Sequence, residues 1–231
     1  MRGLFVTGTD TGVGKSVVAA AACAVLAERG ERVAAFKPVL TGLDDPAGGW
    51  PHDHALLART ANAGQAPAEV APLRFGPPVS PHLAAELAGV EIEPARLVAA
   101  ARRAAIRADA IVVEGVGGLM VPLSRDFLVR DLASLLDLPV LVVARPGLGT
   151  INHTLLTLAA AREVGLRIAS VVLNPWPGAP SRLEASNRET LERLGGAPIA
   201  TLPLTRLESL GEAGRELRVE RWLGEAPAAA A

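Results

Sequence analysis

Lys15 and Lys37 are the only two lysines among the 23 basic residues of this chain, and the other 21 are arginines. Each lysine stands where an apolar run gives way to a loop or to the start of a predicted helix. A lysine ammonium is a compact point charge, whereas an arginine guanidinium is a planar fork. A chain that keeps lysine at only two positions therefore indicates two sites that need the compact charge, and both positions are typical of phosphate sites.

Lys15 and Ser16 close a glycine-rich segment, GTDTGVGKS at residues 8–16, which follows a short apolar run and opens an apolar, helix-like run. A strand, a glycine-rich turn and a helix start direct free backbone N–H groups, and the positive end of a helix dipole, at one anion. Lys15 would reach the outer phosphates of a nucleotide, and the Ser16 hydroxyl would join a Mg²⁺ shell. Five residues separate Gly8 from Gly14 where the general phosphate-loop pattern has four, and the alternative is an ordinary strand-to-helix turn.

Two further predicted strands end in polar side chains. Lys37 ends the second strand, and the loop after it could bring the Lys37 ammonium and the Thr41 hydroxyl beside the glycine-rich segment. Glu114 ends an apolar strand and precedes glycines that would let a ligand lie against bare backbone. Because a buried carboxylate without a cation or hydrogen bonds is costly, Glu114 is a candidate for positioning Mg²⁺. A surface lysine and a simple turn are the respective alternatives.

Asp53 begins a predicted helix and is flanked by His52 and His54. An aspartate at this position is either a third Mg²⁺ ligand or merely a helix cap, and the spacing alone leaves both open. The two histidines also raise the possibility of a zinc site. Neighbouring ligands in a loop without a cysteine partner make such a site weak.

A second glycine-rich helix start, GLGTINH at residues 147–153, contains no lysine. With Thr150 as a candidate cap, it could hold an anion, and a carboxylate suits it better than a polyphosphate. Plain helix capping is the alternative. Asn174 and Pro203, at the ends of two later strands, are uninformative on their own.

Composition excludes several classes of function. A formal net charge of −1 and a pI near 6.4 give no electrostatic reason to expect binding to nucleic acid or to an anionic membrane. Cys23, the single cysteine, lies in an apolar helical stretch and is expected in the core. No apolar signal-peptide core follows Met1, and the longest apolar run, residues 17–27, is too short to span a bilayer. These features predict a soluble, cytoplasmic protein.

Short β-branched runs alternate with longer segments rich in alanine and leucine. The predicted strands are residues 4–7, 33–36, 110–114, 140–144, 168–173 and 199–202, and the predicted helices are residues 15–29, 53–61, 94–107, 130–136, 151–164 and 182–194. Strands that are apolar throughout indicate a sheet covered on both faces. The pattern predicts an α/β fold with a doubly wound, mostly parallel sheet and helices on both faces. We expect one domain over residues 1–231, with an irregular stretch at residues 38–81 and a frayed tail at residues 226–231.

Taken together, these motifs resemble those of the dethiobiotin synthetase family, which belongs to the phosphate-loop NTPase superfamily. The resemblance covers nearly the whole chain, through VTGTDTGVGKS (residues 6–16), FKPVLTG (36–42), SPH (80–82), VEGVGG (113–118) and LGTINH (148–153). The five-residue gap after Gly8 is the form that this family uses. Ser16 stands where threonine is commoner, and the segment after Asn174 lacks the Asn-Asp pair of some relatives, which leaves nucleotide preference open.

The resemblance implies a homodimeric enzyme that uses ATP, Mg²⁺ and CO₂ to close the ureido ring of 7,8-diaminononanoate. It implies catalytic roles for Lys15 and Lys37, which would stabilise charge on the phosphates and on a carbamate. The Mg²⁺ ligands would be Ser16, Asp53 and Glu114. Thr41 would bind substrate near its reacting end, and Gly149, Thr150, Ile151 and Asn152 of the partner subunit would receive the substrate carboxylate. The nucleotide contacts would be Thr11, Gly12, Val13, Gly14, Lys15, Ser16, Val17, Asp53, Glu114, Gly115, Val116, Gly117, Asn174 and Pro203.

Two other classes of protein have similar motifs. An ATP-driven switch protein of the same superfamily would carry an additional lysine early in the phosphate turn, where this chain has Thr9 and Asp10. A ligase of the amidotransferase kind would usually carry an appended glutaminase domain, for which this chain is too short. Neither alternative predicts ATP hydrolysis that depends on a diamine.

Overall fold

The computed structural model describes residues 1–46 and 48–223, so the tail expected at residues 226–231 lies outside the described residues. The described residues form ten strands: β1 (Gly3–Gly8), β2 (Val33–Phe36), β3 (Val39–Leu40), β4 (Leu73–Arg74), β5 (Ala110–Glu114), β6 (Pro122–Ser124), β7 (Phe127–Leu128), β8 (Val140–Ala144), β9 (Ile168–Trp176) and β10 (Ile199–Pro203). Six of them pair in parallel as one sheet in the order β10-β9-β8-β1-β5-β2. The predicted parallel sheet is therefore confirmed.

The α-helices of the described residues are α1 (Lys15–Glu28), α2 (Asp53–Thr60), α3 (Pro67–Val70), α4 (Pro81–Ala88), α5 (Pro94–Ile106), α6 (Val129–Leu136), α7 (Thr150–Glu163), α8 (Arg182–Leu194) and α9 (Leu210–Arg215). Two short 3₁₀ turns, Leu207–Ser209 and Val219–Arg221, flank α9. None of the helices formed by the described residues combines the length and the apolar character that a bilayer span requires.

The sheet lies between two apolar layers because successive strand side chains point to opposite faces. In β1, Leu4 and Val6 pack into the layer that contains α1, α2 and α9, whereas Phe5 packs into the layer that contains α5 to α8. Cys23 lies in the first layer and is fully buried, and burial raises the pKa of its thiol to about 12. Cys23 is therefore core packing, as expected.

The structure differs from the sequence-based prediction chiefly at short elements. Residues 38–81 contain β3, β4 and α3, although composition had indicated an irregular stretch, whereas α2 (Asp53–Thr60) confirms the helix predicted at residues 53–61. Helix α7 begins at Thr150 with Gly149 as its N-cap residue, so the interpretation of Thr150 as the cap is wrong. Thr150 is instead buried, with its hydroxyl 3.4 Å from that of Thr154. Because Thr150 is already the first helical residue, it is not in the N-cap position from which a side chain caps the free N–H groups.

The strand order decides which loops share the functional edge of the sheet. Strand β1 lies between β5 and β8, and β2 pairs with β5. Because all six strands run in parallel, the residues that follow β1, β2, β5 and β8 emerge at the same edge, the usual location of ligand sites in such sheets. Those segments hold the glycine-rich turn, Lys37, the glycines after Glu114 and the second glycine-rich helix start.

Candidate active site

The segment from Gly8 to Gly14, which we call the phosphate loop, connects β1 to α1 and requires glycine at two positions. A Cβ atom on Gly8 would lie 2.8 Å from a Val13 methyl group and 2.9 Å from the Asp10 carbonyl oxygen. Gly14 has φ of +86° and forms the N-cap of α1. A Cβ atom on Gly14 would also overlap the amide nitrogen of Asn174. Only glycine fits both conditions at Gly14 without strain.

Lys15 is the first residue of α1, and its ammonium folds back over the phosphate loop. Its Nζ donates a hydrogen bond to the Asp10 carbonyl oxygen at 2.9 Å. The side chain is 7% exposed. Burial lowers the Lys15 pKa, an effect that the Lys37 charge increases and the Glu114 charge opposes. The free N–H groups of the first turn of α1 surround the same space.

Lys37 joins two carboxylates at the floor of the site. Its Nζ lies 2.6 Å from Glu114 Oε1 and 2.6 Å from Asp53 Oδ2. The backbone N–H of Lys37 donates to the Val70 carbonyl oxygen at 2.8 Å, so α3 helps to hold this residue in place. Ser16 Oγ donates to the same Glu114 oxygen at 2.8 Å. Lys37, Asp53 and Glu114 together carry a net charge of −1 when all three are ionised.

Burial and charge pairing oppose each other within this group. Burial alone would lower the Lys37 pKa, but the charges of Glu114 and Asp53 outweigh it and raise that pKa. Burial also dominates at Glu114 and raises its pKa, although Lys37 opposes the change. At Asp53 the Lys37 charge overcomes the effect of burial and lowers the pKa. Lys37 therefore stays protonated near neutral pH.

The three oxygen-bearing side chains Ser16, Asp53 and Glu114 fit a Mg²⁺ ion, which prefers hard oxygen ligands. The second Glu114 oxygen, Oε2, is buried and has no hydrogen-bond partner among the described residues. Asp53 is the first residue of α2 and pairs with Lys37, so the interpretation of Asp53 as merely a cap is wrong. Over residues 1–46 and 48–223, no group of three or more His, Cys, Asp and Glu side chains could form the zinc site raised by the two histidines.

A cavity of about 770 Å³ unites the phosphate loop with this charged floor. The residues that were predicted from sequence and that line the cavity are Thr11, Gly12, Gly14, Lys15, Ser16, Val17, Lys37, Thr41, Asp53, Glu114, Val116 and Gly117. Its apolar wall comes from Leu40, Trp50, Pro51, Leu56, Pro78, Val79, Pro81 and Val121. The cavity is large enough for a triphosphate beside a small aliphatic molecule.

The remaining predicted residues do not line the cavity. Val13 and Gly115 are buried in the loop walls, and Pro203 ends β10 beside Trp176. Asn174 is 5% exposed and donates its side-chain N–H to the Val13 carbonyl oxygen at 3.0 Å. The four residues at the start of α7, Gly149, Thr150, Ile151 and Asn152, are also outside the lining. A single chain therefore does not bring that helix start to the site.

Sequence reasoning missed one contact of the phosphate loop. Arg145, which follows β8, donates a hydrogen bond from Nη2 to the Thr11 carbonyl oxygen at 3.0 Å. Arginine is common in this chain, so composition gave no signal for it. The signal would have been its place directly after a strand that pairs with β1.

Gly14→Ala is expected to weaken ATP binding at least tenfold, because the new methyl group would displace Asn174 or distort the phosphate loop. Gly30→Ala is the matched control, since Gly30 has φ of +85° and no atom within 4 Å of an added Cβ. It therefore carries only the backbone strain of about 1 kcal/mol. Calorimetric titration with ATP measures both variants. Equal ATP affinities of the two variants would contradict the steric role of Gly14.

Comparisons with known proteins agree with this geometry. The protein-family model described as "AAA domain" matches residues 2–212. The chain is 50% identical over 175 residues to the ATP-dependent dethiobiotin synthetase BioD of Anaeromyxobacter dehalogenans (strain 2CP-C), which covers 75% of this chain and 77% of that protein. It is 41% identical over 201 residues to the protein of the same name from Bacillus licheniformis, which covers 86% of this chain and 84% of that protein.

A solved structure shows the fold alone. The Pyrococcus furiosus cell division ATPase MinD superposes with a TM-score of 0.55 at 17% identity, over 94% of this chain and 98% of that one. The fold is therefore shared with a distant ATPase, and the relatives with far higher identity decide the family. On these matches, which span most of each protein, the chain belongs to the ATP-dependent dethiobiotin synthetase family.

Proposed function

We propose that this protein closes the ureido ring of dethiobiotin from 7,8-diaminononanoate and CO₂, with Mg²⁺ and with ATP as the phosphoryl donor. The observation that carries the proposal is Lys37, which contacts two carboxylates in the same cavity as the phosphate loop. A phosphoryl-transfer site needs alignment and charge neutralisation more than covalent help. The two buried ammonium groups meet that need.

The proposed reaction is the one that the family resemblance implies. One substrate amine adds to CO₂ and loses a proton, which gives a carbamate anion. A carbamate oxygen then takes the γ-phosphoryl group and releases ADP. The second amine attacks the carbonyl carbon of this mixed anhydride, and phosphate leaves as the ring closes. Lys37 would stabilise the oxygens that carry negative charge between the carbamate and the γ-phosphate, and Lys15 would stabilise the β- and γ-phosphates.

Ser16, Asp53 and Glu114 would hold Mg²⁺, which would neutralise charge on the phosphate oxygens when bound. Glu114 Oε2, which has no hydrogen-bond partner among residues 1–46 and 48–223, supports this assignment. Water must be kept from the mixed anhydride, because hydrolysis would waste it. The apolar wall of the cavity would exclude water. Thr41 would contact the reacting end of the substrate.

The start of α7 would bind the substrate carboxylate on behalf of a partner subunit in a homodimer. Its free N–H groups suit a carboxylate, yet they lie outside the cavity of their own chain. Exposed apolar side chains lie near this helix start, including Leu148 at 91% and Leu156 at 61% exposure. Met120 and Leu156 also line a cleft of about 340 Å³ beside the phosphate loop. An apolar patch of this kind is typical of a protein–protein interface.

Two measurements test the proposal. The purified protein is incubated with ATP, Mg²⁺, bicarbonate and 7,8-diaminononanoate, and ADP and dethiobiotin are measured against a reaction without the diamine. We expect stoichiometric ADP and dethiobiotin, whereas ADP release that is independent of the diamine would contradict the function. Light scattering should give twice the chain mass of 23.8 kDa. A monomer that is fully active would contradict the role of the partner subunit. A cytoplasmic location, which supplies ATP, is part of the proposal.

Lys15→Gln is expected to weaken ATP binding as well as turnover, because its ammonium belongs to the phosphate loop itself. A hydrogen bond to a charged group contributes about 1.5–3 kcal/mol, so the Kd of ATP should rise roughly 10- to 100-fold. Calorimetry with ATP and Mg²⁺ measures the change. Unchanged ATP affinity would show that the outer phosphates lie away from Lys15.

A further inference from the structure

Strand β2, which leads directly into Lys37, is an edge strand of the six-stranded sheet and pairs there only with β5. An edge strand presents a row of backbone N–H and C=O groups that no neighbouring strand pairs. The N–H groups of alternate residues point to the same side of a strand. On the side away from β5 these are the N–H groups of Val33, Ala35 and Lys37. Their partners decide how firmly the end of β2 is held.

The segment at residues 62–70 lies along this free edge and bonds to it near both of its ends. At the start of β2, the Val33 N–H donates to Asn62 Oδ1 at 2.6 Å, and the Val33 carbonyl oxygen accepts from the Asn62 backbone N–H at 3.1 Å. After the end of β2, the Lys37 N–H donates to the Val70 carbonyl oxygen at 2.8 Å. The segment therefore takes the place of a seventh strand.

Gln65 holds the middle of this edge, at Ala35. Its Oε1 accepts from the Ala35 N–H at 2.8 Å, and its Nε2 donates to the Ala35 carbonyl oxygen at 3.0 Å. One planar amide thus bonds to both backbone groups of one residue, as an antiparallel partner residue would. Both bonds are partly buried. Gln65 is also the single glutamine of the chain.

We propose that Gln65 is a positioning residue for Lys37: its amide holds β2 at Ala35, so that the Lys37 ammonium stays between its two carboxylate partners. The Lys37 side chain is a flexible four-carbon stem, and its Nζ lies 2.6 Å from one oxygen of each carboxylate. The backbone at the base of the stem must therefore be fixed. Water could satisfy the edge groups of Ala35 in place of Gln65, but it would not hold them in position. The inference rests on the proposed function, in which Lys37 stabilises the carbamate and the γ-phosphate.

The first test compares Gln65→Ala with Asn62→Ala, the matched control, which loses an amide at the start of β2 instead. We expect the diamine-dependent kcat of Gln65→Ala to fall about tenfold, with the Kd of ATP within about twofold of the parent value. Asn62→Ala should keep the parent kcat to within about twofold. A parent kcat in Gln65→Ala, or an equal loss in both variants, overturns the proposal. A parent protein without diamine-dependent turnover contradicts the proposed function instead.

A double-mutant cycle separates positioning from a general loss of stability. If Gln65 acts through Lys37, adding Gln65→Ala to Lys37→Gln should change the kcat less than about twofold, because no ammonium is left to position. A further loss as large as that in the parent background would show an effect independent of Lys37. That result overturns the positioning role.

Hydrogen exchange of the backbone amides tests the contact between Gln65 and β2 without any activity. In Gln65→Ala the Ala35 and Lys37 amides should exchange about tenfold faster than in the parent, whereas the amides of β5 should keep the parent rates. Parent rates at Ala35 and Lys37 overturn the proposal. Faster exchange throughout the sheet overturns it too, because Gln65 would then only stabilise the fold.

Discussion

Lys37→Gln will lower the diamine-dependent kcat about 10²- to 10³-fold, while the Kd of ATP stays within about threefold of the parent value. The Lys37 ammonium contacts Glu114 and Asp53 in the cavity. The phosphate loop is instead contacted by Lys15, whose Nζ donates to the Asp10 carbonyl oxygen. Glutamine removes the charge that would stabilise the carbamate and the γ-phosphoryl group and leaves the loop unchanged. Steady-state ADP release and calorimetry measure the two quantities.

Lys37→Arg is the matched control for charge. It keeps a cation but replaces the compact ammonium with a planar guanidinium. Relative to Lys37→Gln, we expect Lys37→Arg to recover more of the folding stability than of the kcat. Removing one partner of a buried ion pair typically costs about 3–5 kcal/mol of folding free energy. The kcat of Lys37→Gln is therefore measured below its own melting transition. A folded Lys37→Gln protein that turns over within about threefold of the parent would refute the catalytic role.

The central sheet and its main helices were predictable because their signals are local. Each of the six parallel strands is a short apolar run, and β1, β2, β5 and β8 are buried on both faces along their whole length. Helix α1 begins at Lys15, directly after the glycine that ends the phosphate loop. The boundaries of these elements agree with the prediction to within a few residues. Periodicity and glycine placement were therefore sufficient to predict the main strands and helices.

The small elements were not predictable because tertiary contacts stabilise them. Helix α3 has four residues, and its Val70 carbonyl accepts the backbone hydrogen bond of Lys37. Strands β3 and β4 have two residues each and pair only with one another. Segments this short have too few residues to show a period of 2 or 3.6. Their sequences indicate turns, and they form helix and strand only because the surrounding structure stabilises them.

The meeting of Lys37 with both carboxylates depends on strand order, which the sequence does not state directly. Lys37 follows β2 and Glu114 ends β5, and these strands are neighbours in the sheet. The contact of Arg145 with Thr11 depends in the same way on the pairing of β8 with β1. The sequence identified single residues at strand ends as candidates. The contacts of Lys37 with Asp53 and Glu114, and of Arg145 with Thr11, required the strand order.

Glu114→Gln is expected to remove most turnover, and to lower the melting temperature of the metal-free protein less than Asp53→Asn does. Burial raises the pKa of Glu114 in the folded state and opposes its ionisation, so a neutral side chain of the same shape regains part of the stability that is lost with the Lys37 ion pair. The same substitution removes a charged oxygen ligand from the proposed Mg²⁺ site. The kcat should fall about 10²- to 10³-fold, and half-maximal activity should require more Mg²⁺.

Asp53→Asn is the matched control, with the larger expected loss of stability. Burial alone would raise the Asp53 pKa, but Lys37 outweighs it and lowers that pKa, so ionised Asp53 stabilises the folded state above its unfolded pKa. That stabilisation is lost as pH falls through the folded pKa, and asparagine removes it at every pH. Asp53→Asn should therefore lower the melting temperature near pH 7, while both variants lose turnover. Scanning calorimetry measures the melting temperatures, and shifts of the same sign and size would contradict the electrostatic account. A Glu114→Gln enzyme with the parent kcat and the parent Mg²⁺ requirement would contradict the metal role of Glu114.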